Sequence, residues 1–443
     1  MRTPYLIQLS IMALIIIAVN SMKHWSILIL PDIFKAESVL RSYDTTFYII
    51  ISYMCYFYGL VFGLWAWNRL SSNISNSMII FISLLLIGIS NYLQTLSGGL
   101  KYMCAFRFII GAVTNVQKLG KSFVHEFISR KNRKRAFQVE NASYVLGSIA
   151  APFIGYHLYN STAKSFSKSA LIISIFIIML AIIFYIAFVL YPTSSNETEE
   201  DEERIAIIRI PTMVSIDFKS MLIHCFYTNV YSKYLILTYI INSACFHVDF
   251  VLTSTYFLLS EPNSGFSITK TQLAEANLIG SVPSIFLIMF LYKIVPGIMS
   301  CKTYIVTTII LSVLTTAFTP IIRHCITQNI DGVEAKTILC LFYGIKMLFN
   351  YYIYTNALVK EINTSVFKIY RPKILNIVNI VKLLTSAILF NITSTIMFIF
   401  IQKKDYANFY PYNHFVPFLM IAILQMASIY IFEQSQFRKK SIF

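Results

Sequence analysis

The chain alternates long apolar runs with short polar gaps. Twelve apolar runs can be traced along its 443 residues, and each is close to the roughly 20 apolar residues that a helix needs to cross a bilayer. Backbone groups in lipid have no water to bind, so each run must pair them internally as a helix. The pattern therefore predicts an all-α polytopic membrane protein with twelve transmembrane helices. The runs are residues 6–30, 45–67, 77–97, 102–124, 139–160, 168–191, 232–259, 272–293, 302–324, 335–357, 373–400 and 413–433.

The first run is too long for the apolar region of a cleaved signal peptide, which has 7–15 residues. We therefore interpret it as the first transmembrane helix. Asn20, Lys23 and His24 are polar residues near its outer end, so the sequence leaves that end undefined.

One gap is longer than the others and strongly acidic. After Pro192 the chain reads TSSNETEEDEE, and a like-charge block of this kind is usually solvated and flexible. Six runs precede the gap and six follow it. We therefore expect an N-terminal six-helix bundle (1–191), a cytoplasmic acidic linker (192–231), a C-terminal six-helix bundle (232–433) and a cytoplasmic basic tail (434–443). The linker is either a plain connection or a regulatory, partner-binding segment.

The composition excludes a soluble protein. Hydrophobic residues make up 57% of the chain and charged residues 13%, against roughly 45–50% and 25% in soluble domains. The formal net charge is +16, but the basic residues lie in the gaps between apolar runs, which indicates membrane topology and no nucleic-acid partner. The partner that the composition requires is the lipid bilayer.

The distribution of Lys and Arg also predicts the orientation. Basic residues concentrate in the gaps on the same side as Met1, for example in RKNRKR at 130–135, and cytoplasmic loops collect such residues. Both termini are therefore expected in the cytoplasm, in the plasma membrane or a vacuolar-type organelle membrane. Glycosylation at Asn160 would support this topology, whereas glycosylation at Asn196 would indicate the opposite orientation.

No motif indicates catalysis, a metal site or a cofactor. The seven cysteines show no CxxC spacing, and no nucleophile, phosphate-binding or zinc-protease motif occurs in a suitable context. His247 and Asp249 are two positions apart on a predicted helix and so point to different faces, which argues against a shared metal site. We therefore expect neither an enzyme nor a bound cofactor or metal.

The fourth run carries a cationic stripe. Arg107, Gly111, Thr114 and Lys118 recur every three or four residues, as do Lys121 and His125 beyond them, and this spacing places them on one face of a helix. Charged groups inside a membrane usually face a protein interior or a wet cavity. The alternative is that Arg107 and Lys121, near the two ends, extend to the membrane surface.

Other charged residues also interrupt apolar runs. The candidates for substrate binding are Arg107, Asn115, Lys118, Lys346, Asn350 and Lys382. Asp249 and Glu275 are candidates for proton coupling, since burial favours the neutral form of a carboxyl group. The alternatives are an ion pair of Asp249 with Lys346 or Lys382, and simple exposure of Glu275 at the membrane surface.

Two helices carry a family resemblance. Arg107-x-x-x-Gly111 in the fourth run is followed in the fifth by Gly147, Pro152 and Gly155, with the spacing of an antiporter motif. Here the chain resembles the major facilitator superfamily, most closely its drug:proton antiporter branch with tetracycline-resistance-like and zinc-induced-facilitator-like members. The resemblance implies two six-helix bundles that rock around a central site. Independently of it, small residues let helices approach closely, and a proline can bend a membrane helix.

The loop after the second run departs from the family pattern. Trp67 stands where the family places an Asp, and Ser71 and Ser72 stand where it places basic residues, so the charge interaction of that loop is not carried over.

Taken together, the sequence predicts a monomeric, antiporter-like secondary active transporter of a small organic solute that works by alternating access. Intramembrane cations outnumber acids, which favours an anionic substrate, and the coupling ion would be the proton. The alternative is a transporter-like receptor or sensor that has lost transport. A membrane enzyme is a third option, which the absence of a catalytic set argues against.

Overall fold

All regular structure in the described part of the chain is helical. The structure is a computed structural model that describes residues 5–26, 28–30, 42–70, 74–96, 100–114, 132–190, 223, 226–227, 229–258, 268–279, 282–283, 285–286, 300–327, 332–348, 357–359, 361–362, 364–366, 371–402 and 412–440.

The helices follow the predicted runs in order. They are α1 (Tyr5–His24), α2 (Ser42–Leu70), α3 (Asn76–Leu96), α4 (Leu100–Val113), α5 (Arg133–Ser161), α6 (Phe166–Phe184, continued by a π-helix over Tyr185–Leu190), α7 (Val230–Leu258), α8 (residues 270–279), α9 (Cys301–Thr327), α10 (Gly332–Leu348), α11 (Arg371–Gln402) and α12 (Tyr412–Lys440). The predicted all-α membrane fold is confirmed, and the predicted count of twelve helices agrees with it.

Eight of the described helices are long and apolar enough to cross a membrane: α1, α2, α3, α6, α7, α9, α11 and α12. α5 is long enough but less apolar, and it carries the buried Glu140. The protein is therefore an integral, multi-pass membrane protein. Most of the acidic linker, from 192 to 222, lies outside the described residues, and α12 continues through much of the predicted basic tail.

The N-terminal helices pack in three close pairs, α1 with α5, α2 with α4, and α3 with α6. Glycines make two of these contacts possible. A Cβ atom at Gly147 of α5 would lie 2.8 Å from the carbonyl oxygen of Ile17, and one at Gly155 would overlap the carbonyl of Trp25. Gly111 of α4 lies in the same way against the carbonyl of Tyr56 on α2. The close approach predicted for the small residues of the fifth run is confirmed.

The C-terminal helices repeat this arrangement. The α1–α5 and α3–α6 pairs recur as α7–α11 and α9–α12. α11 also packs against α2 and so joins the two sets of helices, which we call the N-terminal half (α1–α6) and the C-terminal half (α7–α12).

The helices differ in how much of their surface the protein covers. Only 33% of the apolar span of α6 is buried, and its exposed large apolar side chains are Ile, Leu, Phe and Met, as expected for a helix facing lipid. The corresponding value for α7 is 83%, so α7 is surrounded by protein on nearly all sides. Functional side chains on α7 therefore face other helices.

Candidate functional site

Three polar residues of α7 each contact a basic residue from a different helix. Tyr239, His247 and Asp249 are buried, and the ten helical steps from the first to the last span about 15 Å at the rise of an α-helix. Their partners come from both halves of the protein. α7 is therefore the element that organises the candidate site.

Asp249 forms a buried ion pair with Lys346 of α10. The ammonium nitrogen of Lys346 lies 2.8 Å from Oδ2 and 2.9 Å from Oδ1 of Asp249. It also donates to the hydroxyls of Thr253, at 3.0 Å, and Thr319, at 3.2 Å. Three acceptor groups thus surround one ammonium group. Of the alternatives considered for Asp249, the structure shows the ion pair with Lys346.

His247 faces the N-terminal half. Its Nδ1 lies 3.2 Å from Nζ of Lys23, in the last turn of α1, and both side chains are buried. The Lys23 ammonium group also lies 5.0 Å from the ring centroid of Phe57, within the range of a cation–π contact. His247 and Asp249 therefore have different partners, as their spacing predicts.

Arg107 of α4 is buried at 2% exposure against the end of α1. Its guanidinium group donates to the carbonyl oxygen of Met22 at 3.3 Å and to the hydroxyl of Ser26. Arg107 lies in the middle of α4, and its side chain turns into the protein and not to the membrane surface. The Nε atom of Arg107 has no hydrogen-bond partner in the described part of the chain.

Two further polar groups beside Arg107 are buried and find no hydrogen-bond partner among the described residues. Nδ1 of His24 and the hydroxyl of Tyr53 make no hydrogen bond among the described residues. The rings of these two residues are stacked with centroids 6.3 Å apart, and both interact electrostatically with Arg107. Three potential hydrogen-bond donors thus lie close together between α1, α2 and α4.

Lys382 of α11 is 3% exposed, and its ammonium group donates to the hydroxyl of Tyr239 at 3.3 Å. The same group lies 5.3 Å from the ring centroid of Tyr239. No carboxylate pairs with Lys382, Lys23 or Arg107 in the described part of the chain. Among the described residues of the candidate site, these three are cations without a carboxylate partner.

Of the predicted set, the structure pairs Lys346 with Asp249 and buries Arg107 and Lys382 at two separate contacts. Asn115, Lys118 and Asn350 lie outside the described residues, so their roles stay predictions. Glu275 lies in the middle of α8 and is partly exposed.

The sequence interpretation missed Lys23, His24 and the role of His247. Lys23 and His24 stand at the end of the first apolar run, where polar residues are ordinary, and His247 has no unusual neighbours along the chain. The available signal was a Lys-His pair within an apolar run that continues to Leu30. Because apolar residues follow the pair as far as Leu30, Lys23 and His24 can be interpreted as charged residues inside the membrane.

Several contacts join the halves toward the end of the bundle at which α1, α5 and α7 terminate. The ring centroids of His24 and Phe250 lie 4.6 Å apart, next to the contact of Lys23 with His247. The hydroxyl of Tyr156 accepts from Thr271 at 3.1 Å. The contacts of His24 and Tyr156 hold the two halves together at that end. Asn391 ties α11 to the middle of α2 by donating to the hydroxyl of Tyr58 at 2.7 Å.

Solved transporter structures share this architecture. The POT family transporter PepTSo superimposes with a TM-score of 0.70 at 8% identity over 99% of both chains. An auto-inhibited POT family peptide transporter gives 0.65 at 11% identity over 97% of both. A bacterial homolog of the human lysosomal transporter Spinster, inward-facing and unoccupied, gives 0.61 at 11% identity over 98% of both. At these identities the likeness shows the fold alone.

No curated protein sequence matches the chain. The sequence profile of the Major Facilitator Superfamily, however, matches residues 9–370, from the first helix to the beginning of α11. That match covers most of the chain, and the paired helices of the two halves agree with it. The protein therefore belongs to the major facilitator superfamily.

Proposed function

We propose that this protein is a secondary active transporter that carries a small organic anion across the membrane by alternating access. The observation that supports the proposal is the set of three buried cations, Lys23, Arg107 and Lys382, for which the described residues supply no carboxylate. Burying a charge is costly unless something pairs with it. An anionic substrate between the two halves would supply the missing charge.

The unpartnered polar groups support an oxyanion in particular. A buried donor without an acceptor costs roughly 1–3 kcal/mol, so a ligand that accepts from several such donors gains that energy on binding. Arg107 Nε and the Tyr53 hydroxyl can donate, and His24 Nδ1 can donate in one tautomer or when protonated. A carboxylate or similar group would suit these three donors.

Aromatic residues around the cations suit the organic part of the substrate. Phe57, Phe250 and Phe390 surround the contact of α1 with α7, and the centroids of Phe57 and Phe390 lie 5.8 Å apart. Ligand sites commonly combine apolar walls with a few placed polar groups.

Proton coupling is part of the proposal, and Asp249 is the group that we favour for it. The resemblance to the drug:proton antiporter branch supports a proton as the coupling ion. Asp249 is buried and shares Lys346 with two threonines, so a proton that neutralises Asp249 would free Lys346 for another anion. Glu275 is the second candidate, at a more exposed position.

We also propose that the protein works as a monomer in the plasma membrane or a vacuolar-type membrane, with both termini and the acidic linker in the cytoplasm. The end closed by the contacts of Lys23, His24 and Tyr156 then faces away from the cytoplasm.

Uptake by purified protein in liposomes tests the choice of substrate. The panel contains mono- and dicarboxylates, aliphatic and aromatic, with an organic cation as the negative case. We expect uptake of anions, and we expect Lys382→Gln and Arg107→Gln each to weaken it by about tenfold or more, the value of a charge-assisted hydrogen bond. Arg107→Lys, which keeps the charge, should retain part of the activity.

Lys302→Gln is the matched control, because Lys302 pairs with Glu433 at an exposed site on the surface. Its uptake should equal that of the unmodified protein. Cation uptake, or anion uptake that Lys382→Gln and Arg107→Gln leave unchanged, would contradict the proposal. Anion binding without uptake would favour the receptor alternative.

The coupling role of Asp249 has its own test. Asp249→Asn removes the proton acceptor, and Asp249→Asn with Lys346→Gln also removes the cation left unpaired. We expect the double variant to lose uptake driven by a pH gradient but to keep exchange of labelled for unlabelled substrate. Gradient-driven uptake at the original rate would rule Asp249 out.

A further inference from the structure

The contact between Lys23 and His247 joins the two halves through groups that both become cationic when protonated. Nζ of Lys23 and Nδ1 of His247 are 3.2 Å apart. A hydrogen bond between two nitrogen atoms needs one lone pair to accept the proton. An ammonium group beside an imidazolium protonated at Nδ1 has none. The contact therefore exists only while the pair carries no more than one positive charge.

The surroundings make a second charge costly. The groups whose charges act on His247 are Lys23 and His24 on α1 and Lys382 on α11, all of them basic. Arg107 on α4 acts on His24 in turn, and the carboxylate of Asp249 is engaged by Lys346. The titratable and charged groups around the contact are Lys23 and His24 on α1, Tyr53 and Tyr56 on α2, Arg107 on α4, Asp249 on α7, Lys346 on α10 and Lys382 on α11.

We propose that His247 is a proton-binding site whose occupancy controls the contact between the two halves. Neutral His247 accepts the hydrogen bond of Lys23 through Nδ1 and holds α1 against α7. A proton that binds to the same lone pair breaks the hydrogen bond and places two like charges side by side. The halves then separate at the end that the structure shows closed.

The location of the pair gives this protonation a mechanical effect. Lys23 lies in the last turn of α1, and His24 beside it packs its ring on Phe250, three residues after His247 on α7. Repulsion between Lys23 and His247 therefore acts on the helices that close this end. Acid on that side favours opening, and loss of the proton favours closure. Histidine is the side chain whose unperturbed charge change falls between pH 5 and 8.

This inference rests on the proposed function only in treating the opening as a step of transport. The opening itself is measurable without any substrate. Spin labels on cysteines introduced at Tyr102, at the start of α4, and at Thr269, just before α8, report the distance between the halves at this end, in a chain whose native cysteines are replaced. Pulsed electron resonance gives the distance distribution at pH 8 and at pH 5.

We expect one short distance at pH 8 and a growing longer one at pH 5. The ratio of the two populations should change by up to about tenfold per pH unit, the limit for a single proton. His247→Gln keeps an acceptor for Lys23 but binds no proton, so its distances should stay short at both pH values. Lys23→Gln should do the same, because its amide can donate to neutral His247 and accept from protonated His247.

His157→Gln is the matched control. His157 lies on α5, and its ring contacts are with Phe153 and Tyr156. It should keep the full response to pH. The inference is overturned if the unmodified protein shows the same distances at both pH values, or if folded, monodisperse His247→Gln and Lys23→Gln both respond as it does. Neither result would affect the anion proposal, which Arg107→Gln and Lys382→Gln test separately.

Discussion

At the scale of single residues, Lys346 and Asp249 show how this protein keeps charge inside a membrane. Both side chains are 8% exposed, and the ammonium group has a carboxylate and two threonine hydroxyls as acceptors. A buried ion pair adds little net stability, but removing one partner leaves the other charge without compensation. Removing one partner of the Lys302–Glu433 pair, at 44% and 33% exposure, leaves a charge that water can solvate.

The first prediction follows from this contrast. Lys346→Met should lower the free energy of unfolding by about 3–5 kcal/mol, because it leaves the Asp249 carboxylate buried alone. Adding Asp249→Leu should recover most of the loss. The measurement is unfolding of the purified protein in mixed micelles by increasing fractions of denaturing detergent.

Lys302→Met is the control for this experiment, and its cost should stay within about 1 kcal/mol. Equal losses for Lys346→Met and Lys302→Met would mean that the buried pair is as well solvated as the surface pair.

Among single residues, the sequence could identify only those whose charge interrupts an apolar run. Arg107, Lys346 and Lys382 are visible in this way. Lys23 could not be identified in this way, because it lies near the end of an apolar run, where a polar residue is ordinary. Only the structure shows His247 beside it.

At the scale of elements, α2 and α4 lie in contact along a row of glycines. A Cβ atom at Gly63 would overlap the backbone of Ala112, and one at Gly59 would overlap the carbonyl of Phe108. The Gly59-x-x-x-Gly63 spacing is a known signal for close helix packing, although the sequence does not name the partner helix. Trp67 strengthens the same contact, since its indole N–H donates to the carbonyl oxygen of Ala112 at 2.9 Å.

The second prediction concerns this row. Gly63→Ala should destabilise the protein by about 1–3 kcal/mol, because the added methyl group meets backbone atoms and the two helices must separate. The loss is measured by the same detergent titration.

The control is Gly88→Ala on α3, where the added carbon would lie 2.8 Å from Cγ1 of Ile178 and 3.2 Å from the carbonyl oxygen of Ser174. These contacts are less severe than the overlap of a Cβ atom at Gly63 with the backbone of Ala112, so the loss should be smaller. A larger loss at Gly88 than at Gly63 would contradict the packing of α2 on α4.

At the scale of the whole molecule, the halves share their internal pairing and meet through α2 and α11. Because successive helices cross the membrane in opposite directions, the odd-numbered helices α1 and α9 start on the same side. Cys301, the first residue of α9, is exposed and therefore reports that side.

The third prediction tests the proposed topology. A membrane-impermeant maleimide should leave Cys301 unmodified in intact cells and label it after selective permeabilisation of the plasma membrane. The Cys301→Ser variant shows which part of the signal belongs to this residue. Labelling of Cys301 in intact cells would place the N-terminus outside and reverse the orientation.

The sequence by itself determined the fold class, because lipid permits only backbone that bonds internally and every apolar run then has to be a helix. It also identified most of the charged residues of the candidate site, since charge inside an apolar run usually faces a protein interior or a wet cavity. Only the tertiary structure decided which charges meet. The pairing of Lys346 with Asp249, and of Lys23 with His247, joins residues 97 and 224 positions apart. The packing of whole helices decides which of these distant residues come into contact, and no local pattern along the chain specifies that packing.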